Sequence, residues 1–139
     1  MPRQARLDLP GDGAWHNRNR LRAKDRDMIR HQLVSLCLNF DDVYEDYPFS
    51  KNQSSLLWTT IRHKKNNKIF ALIFERNDVL SINLKCRPEL IDVMRELHKN
   101  VLPGFHMNKN HWNTVIVNGD ISVEELTNMI MNSYKLTLR

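Results

Sequence analysis

Glycine is scarce in this 139-residue chain: four residues, at positions 11, 13, 104 and 119, too dispersed to form a glycine-rich loop that cradles phosphate. Cysteine is scarcer still. Cys37 and Cys86 form no CxxC pair, which excludes a disulfide framework and an all-cysteine zinc site, and both are expected to be reduced thiols of a cytoplasmic protein. No apolar run approaches the ~20 residues a membrane-spanning helix needs. Neither HExxH, GxSxG nor an EF-hand loop occurs, so the sequence offers no familiar route to zinc-protease, serine-hydrolase or calcium chemistry.

What is present is the composition of one globular domain, with 41% hydrophobic and 27% charged residues. The net charge of +5 is unevenly spread, because residues 1–26 carry +4 of it and the remaining chain only +1. That first segment sets Pro2, Pro10, Gly11 and Gly13 among scattered arginines with no apolar period, and it reads as a basic, flexible arm over residues 1–26 ahead of a domain over 27–139. It lacks the apolar core of a secretory signal, and its three acids disfavour an organellar transit peptide. Whole-chain basicity is therefore weak evidence that the folded body binds a polyanion.

The first helix is expected from about Lys24, capped by Asp25 or Asp27, with Ile29, Leu33, Leu36 and Phe40 on its inner face. Residues 41–55 break the period and are expected to be a loop whose Tyr44, Tyr47 and Phe49 pack back on the domain or line a binding surface. Strands are predicted at 56–62, 68–75 and 79–86, joined by turns at 63–67 and 76–78 in which Asn66-Asn67 and Asn77-Asp78 can adopt left-handed conformations. The run Ile69–Phe74 is apolar throughout, which predicts a central strand covered on both faces. Pro88 suits the first turn of a helix to about His98, with Leu90, Ile91, Met94 and Leu97 facing inward. Val101–Gly104 is expected to be a loop, followed by strands at 105–107 and 111–117 around the turn 108–110. Ser122 with Glu125 forms a capping-box pattern for a last helix with Leu126, Met129, Ile130 and Tyr134 buried. This order gives an α+β fold: two layers, a mostly antiparallel sheet flanked by helices.

Candidate chemistry is sparse. His106 and His111 lack a third metal ligand at suitable spacing, and Cys86, between Lys85 and Arg87, has no assured histidine partner; no metal, cofactor or catalytic residue is expected. Two polar turns remain. Arg62, His63, Lys64, Lys65 and Lys68 fall on the first hairpin, and Asn108, Lys109, Asn110 and His111 on the later one. Cationic turns projecting from a sheet can contact phosphates while Asn and His reach base edges, and the same composition also suits a turn that is merely solvated.

Several segments, in order, resemble the MmcQ/YjbR family: Tyr44-Glu45-Asp46-Tyr47-Pro48-Phe49, Lys68–Ile73, Ile82–Cys86 with Pro88-Glu89, above all Pro103–Val115 (PGFHMNKNHWNTV), and Ser133-Tyr134. The resemblance spans roughly residues 27–136. It departs from the family pattern at Ser50 and at Asn66-Asn67, where glycine is common. The opening Met1–Gly11 separately resembles the start of REP-associated tyrosine transposases, but the His-x-His motif of those enzymes is absent, so no transposase chemistry is carried over.

The MmcQ/YjbR resemblance implies a CyaY-like fold with two hairpin wings and a DNA-binding protein with no established catalytic reaction. Carried onto this chain, the DNA-contacting residues are Arg62, Lys64, Lys65 and Lys68 on the first wing, Asn108, Lys109, Asn110 and His111 on the second, and Lys85 and Arg87 as supporting cations. The expected partner is DNA, without membrane, for a chain expected to be monomeric. The alternative function is a non-enzymatic module binding a small ligand or a protein in a pocket between residues 44–49 and 106–113. Separately, a structural reading of the later hairpin makes Trp112, Val115 and Val117 core, with Asn113 and His106 tying it to the preceding loop through buried hydrogen bonds. Iron handling is disfavoured, because the first helix offers few acids beyond Asp25 and Asp27.

Overall fold

Every strand pairing among the described residues, 27–48 and 57–139 of this computed structural model, is antiparallel. The expected arm at 1–26, the Lys24 start and Asp25 cap of the first helix, and residues 49–56, with Phe49 and Ser50, lie outside the described residues. In chain order the elements are α1 (Arg30–Leu38), β1 (Val43–Asp46), β2 (Thr59–His63), β3 (Ile69–Arg76), β4 (Val79–Lys85), α2 (Pro88–Leu97), β5 (Val101–Pro103), β6 (Trp112–Ile116) and α3 (Val123–Leu136). The sheet order is β1-β2-β3-β4-β6-β5, with the helices on one face, so the two-layer α+β architecture read from the sequence is the one that forms. No described helix is long and apolar enough to cross a membrane.

The apolar run of β3 explains its place. On the helix side Phe70, Ala71 and Ile73 join Leu33, Cys37, Ile82, Leu84, Val115, Leu126 and Ile130 in the main core. On the other side Leu72 and Phe74 pack with Trp58, Ile69, Phe105 and Met107. Two consecutive residues face the helices because Ile61 pairs with Ala71 while Arg62 pairs with Ile69, leaving Phe70 as the extra residue of a β-bulge.

The turns behave as asparagine chemistry predicts. Asn77 and Asp78 are both left-handed, with φ of 53° and 63°, the backbone of a tight hairpin turn whose twist matches its strands. In the β2–β3 turn only Asn67 is left-handed, at φ 62°, the conformation a glycine would otherwise supply. Asn66 instead ties the turn to the end of the chain. Its Oδ1 accepts from Lys68 N at 2.9 Å, and its Nδ2 donates to the carbonyls of Thr137 and Arg139 at 3.0 and 3.1 Å.

Several boundaries differ from the sequence reading, each for a local reason. The first described helix begins at Arg30 with Ile29 as an N-cap that has no side-chain cap, so Asp27 does not fill that position. Gln32 Oε1 reaches back to Ile29 N at 2.9 Å, Asn118 brackets the Met28 backbone with two 2.7 Å hydrogen bonds, and Ile29 itself is exposed. Part of the expected 41–55 loop is the edge strand β1, whose Glu45 and Asp46 are tolerated because an edge needs pairing on one side only. On α2 only Ile91 and Met94 turn inward, while Leu90 and Leu97 are exposed. Val101–Pro103 is a strand and Phe105–Met107 is loop; Pro103, lacking an N–H, suits an edge strand. Ser122 Oγ accepts from Glu125 N at 3.0 Å as expected of its cap, while the Glu125 carboxylate lies 3.0 Å from His98 Nε2.

Candidate nucleic-acid interface

Antiparallel order brings the two polar turns to the same end of the sheet. The β2–β3 turn follows His63, β4 ends there at Lys85, and β6 starts there with Trp112 paired to Lys85. The two turns are thus separated by β4, roughly 10 Å at the usual strand spacing.

The ten sequence-predicted residues sort by what holds them. Lys64 and Lys65 are exposed, and neither side chain has a partner among the described residues. Lys68 is exposed and its Nζ donates to the Arg139 carbonyl at 2.8 Å. Arg62 is half-buried, paired to Asp46 at 3.1 Å and donating to Asn67 O at 2.8 Å, so it braces the hairpin. Lys85 is half-buried, its backbone N–H held by Ser133 Oγ at 2.9 Å, and Arg87 is exposed in a 2.6 Å ion pair with Glu89. Asn108, Lys109 and Asn110 are exposed; His111 is half-buried, with its carbonyl accepting from Cys86 N at 2.8 Å. Acids share this end, since Lys64 N donates to the carbonyl of Asp42.

The second turn is a framed loop over residues 104–111. Gly104 starts it against Trp112, where a Cβ would sit 2.8 Å from the Trp112 carbonyl oxygen. Next, both polar groups of the Phe105 backbone are taken by buried side chains: Thr114 Oγ1 accepts from its N–H at 2.8 Å and Asn83 Nδ2 donates to its carbonyl at 2.9 Å. Thr114 Oγ1 in turn donates to Asn83 Oδ1 at 2.5 Å. His106 is then left-handed, at φ 61°, and exposed. From α2, Arg95 donates to Asn113 Oδ1 at 2.7 Å, to Lys109 O at 2.5 Å and to Trp112 O at 3.3 Å. Asn108 Oδ1 accepts from Asn110 N at 2.9 Å and closes the tip. The expected structural role of Asn113, Val115 and Val117 holds, since all three are buried. Trp112 is only half-buried, and His106 makes ring contacts with Trp58 and Phe105 in place of the expected buried hydrogen bonds.

Asn83, Arg95 and Thr114 are the framing residues that sequence reading missed. Neither Asn83 nor Thr114 breaks the period of its strand, and Arg95 sits between charged neighbours on an amphipathic helix. Of the two segments expected to wall a pocket, 44–49 and 106–113, Phe49 lies outside the described residues and β1 and β6 are separated by three strands, while the cavity lined by Leu84, Met94 and Met129 lies on the helix face.

Burial shifts two titratable groups at this end. Burial pushes the Cys86 thiol up from its ordinary value, outweighing Arg95 and Arg87. No cluster of three or more His, Cys, Asp or Glu able to hold a metal occurs among the described residues. His63, expected in the turn, instead ends β2 almost fully buried, its Nε2 2.8 Å from Thr137 Oγ1. Because Thr137 Oγ1 donates to Ser133 O at 2.7 Å, it accepts from His63, which assigns the proton to Nε2 and leaves Nδ1 bare and buried with no partner. Burial lowers the imidazole pKa, so protonation favours the unfolded chain. Stability from this group is full above the unfolded value near 6.5 and is lost as pH falls below it. Thermal unfolding is expected to show a smaller loss between pH 7.5 and 5 in His63→Gln than in the parent; equal losses would assign the dependence elsewhere.

Comparison with known proteins agrees with this geometry. The YjbR family model matches residues 38–136. YyaQ of Bacillus subtilis (strain 168), an uncharacterized protein, is 32% identical over 102 residues, covering 66% of this chain and 83% of the relative. YjbR of Escherichia coli (strain K12), likewise uncharacterized, is 31% identical over 78 residues, 56% of this chain and 66% of the relative. Among solved structures, a Pseudomonas syringae protein has 32% identity and a TM-score of 0.69, over 79% of this chain and 99% of its own. A Deinococcus radiodurans protein with a DUF419 domain has 29% identity and a TM-score of 0.66, over 78% of each chain. The motif-bearing strands and loop all fall inside the matched span, and the chain belongs to the YjbR family.

Proposed function

We propose that this protein binds DNA without chemistry on it, through the sheet end that carries the β2–β3 turn and the 104–111 loop. The observation that supports this most is the convergence of Lys64, Lys65, Lys68, Lys85 and Lys109 on one end of the sheet. Phosphate contacts need cations that are not already spent on carboxylates, and Lys64 and Lys65 meet that condition. The separation of the two turns, about 10 Å, is comparable to the ~12 Å width of a major groove. Lysines on the first turn neutralise phosphates, while the framed loop presents Asn108, Lys109 and Asn110 toward a groove. Binding carried mainly by phosphates is tolerant of sequence.

The test is fluorescence anisotropy of labelled duplexes of unrelated sequence with the full chain and with Lys64→Ala/Lys65→Ala, across a salt series. The expected result is an affinity loss of about tenfold that is similar for each duplex, with the salt slope reduced by about 2. Unchanged affinity and slope would remove the first turn from the interface.

A further inference from the structure

On the helix face, between α2, α3 and the ends of β4 and β6 nearest the two turns, lies a cavity of about 380 Å³. Met94, Met129, Leu136 and Val115 give it apolar walls. Its lining includes Lys85, Arg87 and Lys135 and no acidic residue. Arg87 is committed to Glu89, whereas neither lysine ammonium has a partner among the described residues.

One polar group in this wall is unfinished. Asn113 lines the cavity and is 4% exposed. Its Oδ1 accepts from Arg95 Nε at 2.7 Å. A guanidinium can only donate, so this contact fixes the amide with its oxygen toward Arg95 and its nitrogen turned away. Nδ2 then has no acceptor among the described residues. This donor is reached by solvent through the cavity, so an acceptor that enters can take the place of water on it.

We propose that this cavity binds a small monocarboxylate with an apolar body, its carboxylate accepting from Asn113 Nδ2 and its charge balanced by Lys85 and Lys135. An apolar cation is opposed by both lysines and offers no acceptor to the amide. A neutral alcohol supplies the acceptor and lacks the charge. The volume is at the small end of ligand pockets, suited to a medium chain or a single aromatic ring.

The test is an NMR titration of the ¹⁵N-labelled full chain with octanoate, reading the Asn113 side-chain NH₂ resonance and the amides of Cys86 and Met129. Octylammonium and octanol serve as matched probes. Saturable octanoate shifts at these positions are expected, with affinity for octylammonium weaker by about tenfold or more. Lys135 is exposed, so Lys135→Glu is expected to leave the fold intact and to weaken octanoate about threefold. Shifts that never saturate, equal affinity for octylammonium, or octanoate binding indifferent to Lys135→Glu would overturn the proposal. No DNA enters the measurement, so its outcome is separate from that of the DNA reading.

Discussion

Asn83→Leu is expected to lower stability by about 2–4 kcal/mol although leucine branches at Cγ as asparagine does and is more apolar. Asn83 is fully buried, so the effect comes from what its amide holds. Its Nδ2 donates to the Phe105 carbonyl at 2.9 Å, and its Oδ1 takes the Thr114 hydroxyl proton. Leucine leaves both groups unsatisfied in a site that admits little water, and each costs about 1–3 kcal/mol. Thr114 Oγ1 also accepts from Phe105 N, so the three bonds close one network and loss of one member loosens the others. Urea denaturation of the variant checks this, with a lower midpoint at unchanged slope expected. A change within 0.5 kcal/mol would mean that the loop is held by Trp58, Phe74 and Phe105 packing alone.

Arg95→Met is expected to cost about 2–3 kcal/mol and, more tellingly, to loosen one turn and not the other. Methionine keeps the aliphatic stem that packs beside α2 and removes the guanidinium. Three acceptors lose the guanidinium, Asn113 Oδ1, Lys109 O and Trp112 O, although Trp112 O keeps the Gly104 N–H at 3.0 Å. Of these, Lys109 O is open to water and can be resolvated, which keeps the cost below three full bonds. Hydrogen exchange is the discriminating readout. Protection of His111 and Trp112 amides should fall, while His63 and Asn67, whose backbone bonds lie in the first turn, should be unchanged. Uniform loss of protection across both turns would show that Arg95 supports the whole sheet and not the loop.

The parts legible from sequence were those with a period or a local chemical rule. The apolar run of β3, the Asn-Asp turn, Pro88 at the start of α2 and the Ser122 cap each depend on neighbours in sequence, and each formed as read. What escaped depends on partners distant in the chain. Val43–Asp46 is a strand only because β2 offers it a pairing edge, and Met28 is held by Asn118, ninety positions away. His63 looked like part of a cationic turn, yet α3 brings Tyr134 and Thr137 over it. Likewise the PGFHMNKNHWNT segment was legible as a motif, but the division of labour within it was not. Gly104, Thr114 and Asn113 are frame, and Asn108 through Asn110 are what the frame displays. The charge inventory also changed meaning, since Arg62 and Arg87 are paired with Asp46 and Glu89, leaving Lys64, Lys65 and Lys85 as the cations of this end without a side-chain partner among the described residues.

The most direct measurement is a chemical-shift map of the ¹⁵N-labelled full chain on titration with a mixed-sequence duplex, repeated at two salt concentrations. It separates the folded domain from the +4 segment at residues 1–26, which can attract nucleic acid on charge alone. The account predicts saturable perturbations at Lys64, Lys65 and Lys68 and at Lys109 through His111, all weakening together as salt rises, with the opposite sheet end at Asn77 and Asp78 unmoved. Perturbations confined to residues 1–26, or centred on Asn77 and Asp78, would contradict it.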